Sequence, residues 1–476
     1  MIFKSETIAA IATALSDSGI GIVRVSGDEA IAVVNKIYRS KGKAVLMDYE
    51  SHTIHYGFIY DGEDLIDEVM VSVFKAPRSY TTEDTVEINC HGGVLVVNKV
   101  LETVIKNGAR IAQPGEFTKR AFLNGRIDLS KAEAVMDMIH AKNEFALKSS
   151  VKQIRGSLSR VIKELRAEIL YEIAFIESAL DDPEHISLDG YHEKLSEKTD
   201  SLIARVNRLY LSADNGKMLK EGINTVIVGK PNAGKSSLLN RLVGEEKAIV
   251  TEIAGTTRDV IEESIRLSGI GLNIIDTAGI RNTEDRVEKI GVERAKEYAL
   301  DADLIVYVVD SSVELDNSDL DIMNLIQGKK VIVLLNKTDL KTIVTEEKIL
   351  EKLNGNLINE SLGYVNTQNS NIKVIKTSTK EGVGMEELED TIKDMFFQGE
   401  LQMNDEVILT NMRQKDSVKD ALDSLYMVKR SLEDEMPEDF LSIDLMGAYS
   451  SLGYVIGEEI GEDVVNEIFS KFCMGK

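Results

Sequence analysis

Val226-Ile227-Val228-Gly229-Lys230-Pro231-Asn232-Ala233-Gly234-Lys235-Ser236-Ser237-Leu238-Leu239 sets the fold of the middle of this chain. A short apolar run leads into the pattern GxxxxGK[ST], and an apolar helical pattern opens directly after it. That is the strand–loop–helix context a phosphate-cradling loop requires. The glycines let backbone N–H groups converge on phosphate oxygens at the positive end of the helix. Asn232, Ala233, Gly234, Lys235, Ser236 and Ser237 line that loop. In such loops the Lys reaches the β- and γ-phosphates and the Ser hydroxyl ligates Mg²⁺. A P-loop α/β sheet follows.

Three further motifs come after it in order. Leu272-Asn273-Ile274-Ile275 reads as a strand delivering Asp276-Thr277-Ala278-Gly279. An Asp at a strand end is the Walker-B type of magnesium partner, and Gly279 leaves its N–H free for a γ-phosphate. Between the two lies Gly255-Thr256-Thr257-Arg258-Asp259, where Thr257 is the candidate third Mg²⁺ ligand, joining the shell only while the γ-phosphate is present. Val331-Ile332-Val333-Leu334-Leu335 then leads into Asn336-Lys337-Thr338-Asp339, and Thr377-Ser378-Thr379-Lys380 stands where a last base-contacting loop belongs. A carboxylate at Asp339 accepts from both N1–H and the 2-amino group of guanine. Adenine offers neither donor and would leave that charge unpaired. Together the motifs within residues 223–380 imply guanine-nucleotide hydrolysis.

The hydrolytic apparatus departs from the common arrangement. Many small GTPases place a Gln directly after DxxG to orient the attacking water; here the residue is Ile280. Glu284, Asp285, Glu288 and Glu293 are acidic alternatives, and Arg258 and Arg281 are the candidate sources of positive charge, unless a bound monovalent cation supplies it.

At 476 residues the chain is long enough for about three domains. No run of 18 apolar residues exists, so no membrane span is expected. The opening Met1-Ile2-Phe3-Lys4-Ser5-Glu6 lacks the apolar stretch of a signal peptide, and Cys90 and Cys473 are far apart, so a reducing cytoplasm is the expected location. A net charge of −24 opposes simple coating of nucleic acid.

The first ~120 residues read as α/β. Ile20–Val25 is strand-like. Ile54, Tyr56, Phe58 and Tyr60 alternate before Asp61-Gly62, and Val69, Val71 and Val73 alternate after it, a hairpin with a somewhat long connection. Val86, Ile88 and Cys90 form another strand, followed by a helix to Lys106 capped by Asn107-Gly108. Cys90 and His91, adjacent on a strand, point to opposite faces and make no nucleophile pair. Ser130-Lys131-Ala132-Glu133 has the capping-box pattern of a helix start. Val151, Ile154, Leu158, Val161, Leu165, Ile169, Ile173 and Ile176 form one stripe, broken at Asp181-Asp182-Pro183. Val418, Leu422, Leu425, Val428 and Leu432 repeat the spacing. These imply a helical domain in two pieces, 121–217 and 400–476, with the nucleotide domain, 218–399, inserted between them and residues 1–120 as a separate α/β domain; two independent helical bundles are the alternative. Residues 341–371, polar and Asn-rich, read as an insertion.

The assembled residues resemble the MnmE/TrmE family of tRNA-modification GTPases over essentially the whole chain. The likeness is carried by Gly19–Gly27, Glu87–Gly93, Pro114-Gly115-Glu116-Phe117, Arg120-Ala121-Phe122-Leu123-Asn124, the GTPase motifs and Phe472-Cys473-Met474-Gly475-Lys476. GTPase motifs alone would leave an RNA-binding ribosome-assembly switch as the alternative. The resemblance implies an N-terminal domain that binds a tetrahydrofolate derivative (5-formyl or 5,10-methylene) and forms a homodimer. It implies potassium-stimulated hydrolysis driven by two G domains meeting, and a complex with the flavoprotein MnmG (GidA) that modifies C5 of the wobble uridine of certain tRNAs. By position it makes Asn232, Thr251, Ile253 and Thr256 the K⁺ ligands and Thr251, Glu252, Ile253, Ala254, Gly255 and Thr256 a nucleotide-contacting loop. By position too, Glu288 orients the hydrolytic water, Arg24, Glu87, Arg126 and Lys476 contact folate, and Cys473 is the cysteine of the modification reaction. Two residues depart from the pattern: Met474 replaces the usual Ile, and Arg126 stands where some relatives have Lys.

Overall fold

Alternation builds the first sheet. Thr53–Asp61 (β4) and Asp64–Phe74 (β5) pair antiparallel, with Val69, Val71 and Val73 of β5 all buried. Their connection is only Gly62-Glu63, shorter than the sequence suggested, because Gly62 adopts φ +66° and turns the chain at once. Ile8–Ile11 (β1), Gly21–Ser26 (β2), Tyr38–Ser40 (β3), Thr85–Cys90 (β6) and Arg110–Ile111 (β7) complete a seven-stranded sheet of order β3-β4-β5-β6-β2-β1-β7. Only β1 and β7 run parallel. Helices Ala30–Ile37 and Val94–Lys106 bring Val33, Val34, Val100 and Val104 onto Val23, Val25, Val71, Val86 and Ile88. Each such side chain, fully buried, contributes about 1.5–3 kcal/mol. Gly108, φ +124°, ends the second helix where the sequence placed its cap.

The structure is a computed structural model and describes residues 5–42, 45–141, 143–245, 263–267, 270–275, 302–355, 372–397, 407–458 and 460–475. The chain forms two compact units: residues 1–139, 152–204 and 416–476, and residues 140–151 and 205–415.

In the first unit, helix Ser157–Asp181 packs on helix Glu438–Ile456. Buried Arg166 joins them: its guanidinium lies 3.9 Å from the Tyr449 ring centroid and donates to the Tyr449 carbonyl and to Glu458. All five apolar positions of the stripe 418–432 are buried, on helix Met412–Glu433. Two sequence expectations need correction. The stripe at 151–176 is not one helix; Gly156, φ +85°, splits it into Glu144–Ile154 and Ser157–Asp181. Helix Leu129–Ile139 is capped by Asp128 rather than Ser130. The Asp128 carboxylate accepts from the Lys131 amide, the Ser130 hydroxyl and the Ser159 hydroxyl, a stronger set of partners than a lone hydroxyl can gather.

The second unit holds a six-stranded sheet. Its strands are Ile223–Val228 (β8), Glu263–Leu267 (β9), Ile270–Ile274 (β10), Leu304–Asp310 (β11), Val331–Asn336 (β12) and Ile372–Lys376 (β13), in the order β13-β12-β11-β8-β10-β9. All neighbours are parallel except β9 and β10. Residues of β11 and β12 are buried on both faces, as parallel strands covered by helices must be. Chain order reverses beside β8, so the loop after β8 opens at a topological switch point, where such sheets bind ligands. Part of the expected insertion is structured. Helix Glu346–Gly355 buries Ile349 and Leu353 against Val333 and Leu335; residues 356–371 lie outside the described set.

Candidate functional site

The loop after β8 closes onto the loop after β12. Gly234, φ +109°, passes so near the Asn336 amide that a Cβ would collide with it, and Gly229, φ +150°, passes as closely to the Val308 carbonyl. Asn336, 1% exposed, ties the loops together. Its Nδ2 donates to the Ala233 carbonyl at 2.8 Å and its Oδ1 accepts from the Thr379 amide at 3.0 Å. Lys235 Nζ donates to the carbonyls of Gly229 and Lys230 at 2.7 Å each, and desolvation pushes its pKa down. The chain opens helix Lys235–Glu245 there, with Ser236 half-buried and Ser237 exposed in its first turn. Asn232 takes φ +61°, a conformation non-glycine residues rarely adopt.

On the base side, Asp339 Oδ1 accepts from the Ser378 hydroxyl at 2.7 Å, and that bond holds the carboxylate ionised below its usual range. The Thr338 amide and hydroxyl both donate to the Thr377 carbonyl, fixing the two loops in register. Lys337, φ +64°, donates to Asp310 at 2.6 Å, while Lys380 is exposed. The site therefore presents a cationic loop at a helix N-terminus and, across Asn336, a fixed carboxylate that can receive two donors from a purine edge.

The site also uses residues that the sequence reading passed over. Asp310 ends β11 and neutralises Lys337. Asp319, 1% exposed and held by the Tyr307 hydroxyl, pairs with Lys230 at 2.6 Å, and Asp316 joins at 3.0 Å. Asp310, an acid at the end of an all-apolar strand, carried the same signal that drew attention to Asp276. Thr251, Glu252, Ile253, Ala254, Gly255, Thr256, Thr257, Asp276, Thr277, Ala278, Gly279 and Glu288 fall outside the described residues, as does Lys476.

A second cluster lies in the first unit. Arg24 Nε donates to Glu87 at 2.8 Å across β2 and β6, and its Nη1 donates to the Gly475 carbonyl at 3.0 Å. The guanidinium lies 5.8 Å from the Tyr80 ring centroid; Arg126 lies 4.9 Å from the same ring and donates to the Tyr80 carbonyl. Two of the four expected folate residues, Arg24 and Arg126, thus approach one tyrosine, and a third, Glu87, is bonded to Arg24. Gly475 packs so tightly on Ile11 and Ala12 that no side chain fits, and the Cys473 carbonyl accepts from the Gly115 amide; the Cys473 thiol is exposed. Beneath runs an ionic network: Glu116 accepts from Arg110 and Arg120, and Arg120 also reaches Glu83. Burial opposes the Glu116 charge, but Arg110, the Gln113 amide and Arg120 outweigh it and pull its pKa to about 2. Cys90 faces the core and is pushed up to about 11 by burial, whereas exposed His91 bonds Asp67 at 2.7 Å, so the two do not act together.

A model of the GTP-binding protein TrmE N-terminus matches residues 7–126, and one of the MnmE helical domain matches residues 129–473. The tRNA modification GTPase MnmE of Lachnoclostridium phytofermentans is 56% identical over 474 residues, 99% of this chain and 100% of that protein. This chain belongs to the MnmE/TrmE family. The tRNA modification GTPases MnmE of Clostridioides difficile, 47% identical over 474 residues, and Alkaliphilus oremlandii, 46% over 480, each match over 100% of both chains. The family is one of GTPases in tRNA modification, and its substrate GTP and cofactor Mg²⁺ suit the loops just described. Its fold is multidomain, an N-terminal α/β part with helical and P-loop parts. No helix among the described residues is long and apolar enough to cross a membrane.

Proposed function

We propose that this GTPase is potassium-stimulated and works with the flavoprotein MnmG (GidA) on C5 of the wobble uridine of certain tRNAs, using a folate one-carbon unit. The observation that carries the nucleotide part is Asn336 bridging the Ala233 carbonyl and the Thr379 amide, with Asp339 held ionised beside them. That arrangement couples purine recognition to the phosphate loop. Ser236, Thr257 and Asp276 are the proposed Mg²⁺ ligands; Asn232, Thr251, Ile253 and Thr256 are those of K⁺, a charge that would stand in for an arginine finger. Glu288 is the proposed water-orienting residue, replacing the Gln absent at Ile280. The proposed domains are 1–120, the split helical domain 121–217 and 400–476, and the G domain 218–399, in a homodimer.

For folate, the donor set fits. The Glu87 carboxylate, with Arg24 bonded to it, suits the pterin end, and the Arg126 guanidinium suits the glutamate end, with Tyr80 as an aromatic wall that both guanidiniums approach. Bound there, a folate would supply the one-carbon unit, while this chain's residues hold and orient it. Cys473 is the proposed thiol of the modification step. GTP turnover measured in KCl against NaCl, with and without the flavoprotein, tests the reading. Faster turnover in K⁺ and a further rise with the partner are expected; equal rates in both salts would overturn potassium stimulation.

A further inference from the structure

A cleft of about 650 Å³ opens beside Tyr80, walled by His52, Phe74, Arg78, Tyr80, Asn124 and Arg126 among others. Its charge runs against that of the molecule. The chain has 80 Asp and Glu against 56 Lys and Arg, yet among the described residues this wall carries two guanidiniums and no carboxylate. Arg78 and Arg126 are both exposed, and among the described residues neither is ion-paired. Arg126 belongs at once to the cleft and to the Tyr80 cluster, because it stacks on the ring that Arg24 also approaches. A ligand reaching from Glu87 past Tyr80 therefore arrives between two guanidiniums that no carboxylate among the described residues neutralises, Arg78 and Arg126, the latter held on Tyr80 by its ring and carbonyl.

Folates match that gradient. The pterin is neutral and rich in donors, whereas the opposite end carries glutamate carboxylates, one more for each γ-linked glutamate added. From this we infer that the cleft takes the γ-linked glutamate tail of a folate, with Arg78 reading carboxylates beyond the first, so that the chain prefers polyglutamylated over monoglutamylated folate. The inference rests on the folate reading above and adds its substrate class. An open, exposed cleft suits a flexible tail, and guanidinium is the group of choice for planar carboxylates. Exposed contacts are individually weak and screened by salt, so the preference should be of order 10-fold at low ionic strength and should shrink at 0.5 M salt, where the screening length falls to roughly 4 Å.

Calorimetric titration of the full chain with 5-formyltetrahydrofolate bearing one or three glutamates reads this directly. The expected result is roughly 10-fold tighter binding of the triglutamate by the native chain. In Arg78→Gln the preference should fall to within about twofold, with monoglutamate affinity unchanged, and Arg78→Lys should restore part of it. Arg78 sits at an exposed turn, so the variant's monoglutamate binding doubles as its folding control. Equal native affinities for the two lengths would overturn the tail assignment while leaving the folate reading standing. An undiminished preference in Arg78→Gln would overturn the role of Arg78. Failure to bind either folate would overturn the folate reading itself. Competition by a short single-stranded RNA as effective as that by the triglutamate would overturn the assignment in favour of an unspecific polyanion site.

Discussion

Asn336→Asp changes one atom's character at the centre of the nucleotide site. The introduced carboxyl keeps an oxygen for the Thr379 amide but sets an oxygen, instead of an N–H, 2.8 Å from the Ala233 carbonyl. A buried carbonyl left unpaired costs about 1–3 kcal/mol, and the facing oxygens repel in addition. About 2–4 kcal/mol is expected if nucleotide binding requires the two loops in this arrangement, roughly 30- to 1,000-fold in GTP affinity at pH 7.5. The loss should depend on pH in a defined direction. Protonated, the carboxyl can donate to Ala233 again, so its folded-state pKa is raised above the ordinary ~3.9. The deficit is then smallest in acid and grows as pH rises through the folded-state pKa. Asn336→Ala, which orphans both backbone groups, should bind weakly at every pH. Titration with a fluorescent GTP analogue from pH 5 to 8 compares all three chains. Native affinity in Asn336→Asp at pH 7.5, or a deficit in that variant that ignores pH, would refute the bridging role.

Other outcomes follow from the same geometry. Asp339→Asn can keep the Ser378 hydrogen bond, so its loop should persist while preference moves from GTP to xanthosine triphosphate; unchanged GTP affinity in competition binding would contradict the base assignment. Glu288→Ala should leave nucleotide binding intact and reduce single-turnover hydrolysis by at least 100-fold, and surviving tRNA modification in that variant would break the proposed link between hydrolysis and modification. The pKa of Glu116 drops from 4.5 to about 2, so its ionic network contributes stability that is present above pH 4.5 and lost as pH falls towards 2, about 3 kcal/mol in all. Glu116→Gln should therefore be less stable at pH 7 and flatter in its acid profile by calorimetry, and a profile parallel to that of the native chain would count against the network.

Short motifs were legible because their chemistry is local. The strand, the loop of 229–236 and the following helix, or the strand ending at Asn336, need only neighbouring residues to be read. What escaped was contact across distance. Asn336 meets Ala233 over 103 positions, and Lys230 meets Asp316 over 86, pairings that no periodicity announces. Local rules also failed where two residues competed for one role. Asp128 and Ser130 both suit a helix start, and the carboxylate prevailed because Ser159, 31 positions away, adds a third donor. Gly156 interrupted a stripe whose apolar spacing continued undisturbed on either side, since spacing registers side chains and not backbone φ. At the second cluster, Arg24 resembled any surface charge until Gly475 and Tyr80 were seen around it.

The bond from Arg24 to the Gly475 carbonyl spans 451 positions. Closing so long a loop costs only about 2 kcal/mol more than closing one a tenth its length, so equilibrium stability scarcely registers the distance. Biosynthesis does. At roughly 5–20 residues per second, about 20–90 s separate the emergence of Arg24 from that of Gly475. Through that interval Arg24 of β2 and the end of β1 at Ile11 stand without the segment that packs on them. The Arg24–Glu87–Tyr80 cluster is thus completed only long after the P-loop has been made, and a chain terminated before Gly475 with a finished P-loop would still lack it.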